Sequence, residues 1–163
     1  MINLVNCCSK KIKAKFIGEA APELKELTGA AAKIFRGEYL QTAFVPENEE
    51  SLLLLVGTGK PGRENIHLKE LGAAAVKAFL ETKIYDFSLD ISGIIREYGI
   101  NALRHITEGA VLGTYVERQF KKEENREYQI EICGVQEELL SEAQKIFDES
   151  IIISEGICFA RDM

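Results

Sequence analysis

The stretch that most constrains this chain is Leu52–Gly59, LLLLVGTG, followed by a loop and an apolar-periodic segment ending near Glu81. Five successive apolar residues closing on Gly57-Thr58-Gly59 read as a strand covered on both faces, the condition at the centre of a sheet flanked by helices. The glycines let the chain turn tightly and bring backbone close to whatever lies beyond the strand. That turn is either a ligand site or a corner of the fold.

Residues Gly57-Thr58-Gly59-Lys60-Pro61-Gly62 fit the literal pattern G-x-G-x-x-G, whose backbone N–H groups hold a pyrophosphate at a helix start. In that arrangement the third glycine already lies inside the helix and packs on the strand. Here Pro61 and several further residues come before the first helical turn, and no Gly-Lys-Ser/Thr ending of a phosphate loop follows. Gly57, Thr58, Gly59, Lys60 and Gly62 remain a candidate nucleotide or ADP-ribose-like site, and the spacing favours a corner.

The rest of the pattern alternates strands and helices. Residues 2–7 and 11–17 are strand-like around the polar pair Ser9-Lys10, with Lys11, Lys13 and Lys15 on one solvated face. In PELKELTGAAAKIFRG, Leu24, Leu27, Ala31, Ile34 and Phe35 recur at helical spacing, with Pro22 in the first turn and Gly37 as the stop. Tyr39–Val45 and Leu52–Val56 flank a short polar turn and form an antiparallel pair. A helix over about Ile66–Glu81, capped by Asn65, buries Leu68, Leu71, Ala75, Val76, Phe79 and Leu80. A strand over Lys83–Leu89 completes a parallel βαβ unit.

A short helix marked by Ile91, Ile94, Ile95 and Tyr98 ends at Gly99, and Asn101 caps a longer one to about Phe120. Its face of Leu103, Ile106, Ala110, Gly113 and Val116 is narrow. Gly109 and Gly113 each lower helix propensity by about 1 kcal/mol relative to Ala, so a close backbone approach is expected to compensate. Tyr128–Cys133 alternates as a strand, and one helix runs from Val135 to the end. The alternation predicts a three-layer α/β domain with a mixed sheet. The last residues, CFARDM, carry no Gly or Pro stop, so that helix reads as interrupted.

Composition narrows the function classes. With 163 residues, 46% hydrophobic and 28% charged, the chain suits one globular domain. Its 20 basic and 26 acidic residues give −6, which disfavours a nucleic-acid surface. The N-terminus lacks the basic region of a signal peptide, and no apolar run approaches the ~20 residues of a membrane span. Cys7, Cys8, Cys133 and Cys158 form no C-x-x-C pair, which points to reduced, mostly buried thiols in a cytoplasmic protein.

Catalytic constellations are not evident. His67 and His105 sit in separate helices, and an Arg104–Glu108 pair at i, i+4 accounts for Glu108 without chemistry. Ser9, Ser92 and Ser154 lack a nucleophile elbow, and the acidic clusters 47–50 and 123–127 fall in polar turns. No catalytic residue and no metal ligand is assigned in this chain.

Three segments in order resemble the N-terminal domain of the leucyl aminopeptidase family, the cytosol-type dimetal aminopeptidases. LLLLVGTGK with the helix Leu71-Gly-Ala-Ala-Ala-Val-Lys-Ala-Phe79 is similar to that family's apolar run ending Gly-Leu-Gly-Lys and its Ala-rich helix. Glu108-Gly-Ala-Val-Leu-Gly-Thr-Tyr115, with Phe120-Lys121, resembles its Glu-Gly-x-x-Leu-x-x-Tyr helix. Gly156-Ile-Cys-Phe-Ala-Arg-Asp-Met163 resembles the Ala-Arg-Asp-Leu of its linker helix. Thr58 departs from the usual Leu, Glu117 stands where an aromatic is common, and the chain before residue 40 matches only in layout.

The resemblance implies a macro-domain-like α/β/α fold with a mixed sheet of about six strands. It implies a non-catalytic domain over 1–155 and the start of an interdomain linker helix over 156–163. The family's two divalent ions, zinc or manganese, belong to a C-terminal catalytic domain absent from this chain. The implied partners are that domain and further copies in a homo-oligomer, a hexamer in the family, in the cytoplasm. The alternative is a free-standing macro-like module that binds a nucleotide or ADP-ribose-like ligand at the glycine turn.

Overall fold

In the computed structural model the stretch Leu52–Gly59 is the fourth strand of a six-stranded sheet of order β1-β6-β5-β2-β4-β3. The structure describes residues 1–61, 68–120 and 127–163. The strands are β1 (Ile2–Leu4), β2 (Ile12–Gly18), β3 (Thr42–Pro46), β4 (Leu52–Gly59), β5 (Asp86–Asp90) and β6 (Gln129–Cys133). The helices are α1 (Gly29–Ile34), α2 (Leu68–Glu81), α3 (Ser92–Tyr98), α4 (Ala102–Phe120) and α5 (Leu140–Asp162), with 3-10 turns at Pro22–Glu26 and Glu137–Leu139. Neighbouring strands run parallel except β3, which pairs antiparallel with β4. The sheet is mixed, and β4 and β5 run the same way on either side of β2, as the βαβ pattern requires.

Side-chain alternation along each strand separates two faces. Ala14, Phe16, Leu54, Val56, Phe87, Leu89, Ile130 and Ile132 join the apolar stripes of α2, α4 and α5 in the main core. On the opposite face Ile17, Leu53 and Leu55 pack with Phe35 and the partly buried Leu24 and Leu27, giving the third layer of the α/β/α arrangement. That layer is thin towards β5 and β6, where the sheet carries Ser88 and Glu131 under the connector between β1 and β2. β4, covered on both faces, is the strand whose sequence does not alternate.

The long helical patterns hold. All six stripe residues of α2 are buried, and Asn65 lies outside the described residues together with the rest of 62–67. Leu103, Ile106 and Ala110 of α4 are buried, and the side chain of Val116 lies outside the described set. α3 ends at Gly99, whose φ of 80° is one that glycine takes without strain. α5 runs unbroken across the expected 155/156 boundary.

Three expectations are corrected. The continuous helix over 22–37 is instead a 3-10 turn and the short α1, separated by extended Leu27 and Thr28. A straight helix would point its stripe along one line, whereas Leu24, Leu27 and Phe35 must spread over a sheet face, and Ile34 is left 65% exposed. Gly37, at φ 74°, is no helix stop; a Cβ there would meet Gly18 backbone at 2.7 Å. The strand-like residues 2–7 and 11–17 do form strands, as β1 and β2, and they lie apart in the sheet, since β1 pairs with β6 at the far edge.

The third correction concerns the thiols. Cys8 and Cys133 form a disulfide with Cα atoms 5.3 Å apart, although 125 residues separate them in sequence. The Val5 N–H donates to Ile132 O at 2.9 Å, so the chain leaving β1 follows β6 and brings Cys8 over its end. Cys7 is exposed and Cys158 is buried.

Candidate functional site

The glycine turn is closed by the segment that crosses it. The Gly57 N–H donates to Gln41 O at 2.7 Å and the Gly59 N–H to Gly37 O at 2.9 Å. In return Leu40 N–H donates to Gly57 O and Glu19 N–H to Gly59 O, each at 2.9 Å. A Cβ at Gly57 would sit 1.9 Å from Glu38 O, so only glycine admits this crossing. Leu40 takes φ 63° to complete it. The Thr58 side chain is buried, with its hydroxyl beside Gly18.

Of the five candidate ligand residues, Gly57 and Gly59 thus spend their N–H groups on protein carbonyls. Thr58 faces inward, Lys60 is exposed, and Gly62 lies outside the described residues. The crossing segment Gly37–Gln41 is the partner that sequence reading missed, because nothing in its composition announces two carbonyls aimed at a strand twenty residues later.

The three family-like segments meet in one helical layer. α2 and α4 come so close that a Cβ at Gly72 would lie 2.4 Å from Ile106 O, and one at Gly109 would lie 2.0 Å from Lys69 O. The expected close approach at Gly109 and Gly113 is therefore real, with Gly72 as its unforeseen counterpart. Beside it Glu108, with a 7% exposed side chain, meets Lys69 Nζ at 2.5 Å. This replaces the expected Arg104–Glu108 pair: Arg104 instead reaches Glu149 of α5 at 2.8 Å. At the other end the Tyr115 hydroxyl donates to Asp162 at 2.6 Å, tying the second segment to the third. That hydrogen bond, then burial, raises the Tyr115 pKa above its ordinary value.

A second polar cluster occupies the thinly covered sheet face. Glu131, fourteen per cent exposed, accepts from the Ser9 hydroxyl at 2.6 Å, the Ser9 N–H at 3.2 Å and the Ser88 hydroxyl at 3.0 Å. Burial alone would raise its pKa, but the two Ser9 donors, Ser88 and the Lys10 ammonium outweigh it and hold it below its ordinary value. Lys10 in turn pairs with Asp86 at 2.9 Å, which raises its own pKa. Every charge in the cluster has a partner, so its evident task is to fasten the connector between β1 and β2.

The remaining candidates stay apart. His105 is exposed on α4 and His67 lies outside the described residues. Ser154 is buried with its hydroxyl on Ser150 O, Ser9 belongs to the Glu131 cluster, and the Ser92 N–H donates to Asp90. Residues 47–50 form an exposed turn; of the second acidic cluster, 123–126 lie outside the described residues and Glu127 is exposed. Among the described residues no group of three or more His, Cys, Asp or Glu side chains is placed to hold a metal ion. No described helix is long and apolar enough to cross a membrane.

A cavity of about 740 Å³ opens between α4, α5 and the first residues, lined by Ile2, Val111, Tyr115, Glu155, Phe159 and Asp162 among others. Its polar groups include Asp162, already engaged by Tyr115. A second, of about 360 Å³, lies on the thin face beside Lys15, Glu23, Glu47 and Arg96.

Comparison with known proteins places this architecture. The chain resembles the probable cytosol aminopeptidases of Rickettsia bellii (strain OSU 85-389), at 26% identity, and Rickettsia typhi, at 28%, each over 137 residues. Those matches cover 79% of the chain but 27% of each relative, so it spans about a quarter of their length. Its fold is similar to that of a mutant of tomato leucine aminopeptidase, with a TM-score of 0.71 at 18% identity over 99% of this chain and 37% of that one. The model of the cytosol aminopeptidase family's N-terminal domain matches residues 11–124, and with most of its length so matched the chain belongs to that family.

Proposed function

We propose that the chain is a non-catalytic N-terminal domain of a leucyl aminopeptidase-type metallo-exopeptidase, which removes N-terminal residues from peptides in the cytoplasm. Its part is to support assembly or substrate access for a catalytic domain that carries the two divalent ions. The carrying observation is the match to the family's N-terminal domain, joined to the convergence of the three segments on α2, α4 and α5. The names of the Rickettsia relatives support the activity and compartment of the whole protein.

In this reading the glycine turn is a corner. Its N–H donors hold the Gly37–Gln41 crossing over the end of β4, which lies between β2 and the edge strand β3. The family partners are the catalytic domain and further copies in a homo-oligomer. The test is a leucine anilide assay on the purified chain with zinc, with manganese and with neither. No release above the buffer rate is expected in any of the three. Metal-dependent release that survives further purification would overturn the non-catalytic assignment.

A further inference from the structure

The two sulfurs of the Cys8–Cys133 bridge differ in their surroundings. Cys133 is fully buried at the end of β6, whereas Cys8 is partly exposed on the connector between β1 and β2. The same connector is fastened by Ser9 on Glu131 and Lys10 on Asp86. We propose that the Cys8–Cys133 pair is a thiol–disulfide exchange site for small thiols, whose state sets how tightly the connector over residues 5–11 is held on the sheet.

Three observations carry this. Exchange requires access to one sulfur, and Cys8 offers it while Cys133 serves as the leaving group. The reduced state has its place prepared, because the Cys133 sulfur lies 3.5 Å from Leu89 O, an acceptor for its S–H once the bridge is open. The connector is also bounded by strands held independently, β1 on β6 and β2 between β5 and β4, so opening the bridge removes its covalent tie without dislodging either strand and leaves Ser9 on Glu131 and Lys10 on Asp86 as its side-chain anchors.

In the forward direction a small thiolate attacks Cys8 Sγ. A sulfur–sulfur bond forms to Cys8 as the Cys8–Cys133 bond breaks, and the electron pair leaves on Cys133, which takes a proton from water. A second thiolate attacks the small-thiol sulfur of the mixed disulfide and releases the Cys8 thiolate, which is protonated in turn. Two thiols become one small disulfide and the bridge gains two electrons; the small disulfide drives the reverse. In a reducing compartment the pair rests open and closes under oxidation. The inference does not depend on the aminopeptidase reading.

The test uses the whole chain in the Cys7→Ser background, which removes the exposed thiol. The protein is equilibrated with glutathione at a series of reduced-to-oxidised ratios, quenched and mapped by mass spectrometry, with amide exchange and circular dichroism at both extremes. A single two-electron transition is expected while the fold persists, with amide exchange of Ser9–Lys11 at least about tenfold faster in the open state. Adding Cys133→Ser should give a folded protein that takes glutathione on Cys8. Adding Cys8→Ser instead should leave Cys133 unmodified until the chain unfolds. The proposal is overturned if the bridge stays closed until global unfolding, if both sulfurs remain thiols at the most oxidising ratio, or if connector exchange is equal in both states.

Discussion

The same substitution, Gly to Ala within a helix, should have opposite effects at two positions. Helix propensity alone favours Ala by about 1 kcal/mol at each. At Gly156 of α5 a Cβ meets nothing within 4 Å, so Gly156→Ala should realise that gain. At Gly109 the new Cβ would lie 2.0 Å from Lys69 O, more than 1 Å inside ordinary contact at 3.4 Å, and 3.1 Å from Ala73 N. Both neighbours are backbone atoms of α2 and cannot rotate aside. The helices must separate, which places the penalty near the upper end of overpacking, about 3 kcal/mol. After the propensity gain the net loss is about 2 kcal/mol. For a domain of this size that is a fall in Tm of roughly 4–8 °C for Gly109→Ala, against a rise of roughly 2–4 °C for Gly156→Ala. Thermal and urea unfolding followed by circular dichroism measure both. A Gly109→Ala protein as stable as the parent would refute the close packing of α2 on α4.

Glu108→Gln should destabilise by about 1–2 kcal/mol, less than a fully buried pair because Lys69 is 44% exposed, and a double-mutant cycle with Lys69→Met should return a coupling of about 1 kcal/mol. Additive single effects would place the Lys69 contact elsewhere. Cys8→Ser should reduce the stability of the oxidised protein by about 5 kcal/mol in the chain-entropy account of a loop this long, read from urea midpoints, and should leave the fully reduced protein nearly unchanged. The folded-state pKa of Glu131 is depressed, so its contribution is complete above its unfolded pKa and is lost as pH falls through the folded value. Glu131→Gln should therefore flatten the acid limb of stability against pH below the ordinary carboxylate range; an unchanged acid limb would contradict the Ser9–Ser88–Lys10 cluster.

What the sequence made legible were its long, strongly patterned segments. Leu52–Val56 shows no alternation because both its faces are covered, and α2 shows a clean stripe because one of its faces is. Gly109 signalled a contact through its helix-propensity penalty, but its partners Lys69 and Ala73 lie on another helix, and no local rule names them. The stretch 22–37 misled because its apolar spacing is helical, while the need to cover a flat sheet face broke it at Leu27 and Thr28. The Cys8–Cys133 contact and the far-edge position of β1 depend on strand order, which short strands do not encode locally. For the candidate site, the failed dinucleotide spacing already favoured a corner, whereas the carbonyls of Gly37 and Gln41 that fill it required the structure.

The central claim, that this chain supports a catalytic domain it does not itself contain, is tested most directly by exchange. The N-terminal domain of the Rickettsia typhi relative is replaced by this chain through Met163, and leucine anilide turnover of the chimera is compared with that of the relative's catalytic part alone. Turnover at least about tenfold above the catalytic part alone, a gain of about 1.4 kcal/mol, is the predicted result. A folded chimera no more active than the catalytic part alone would contradict it.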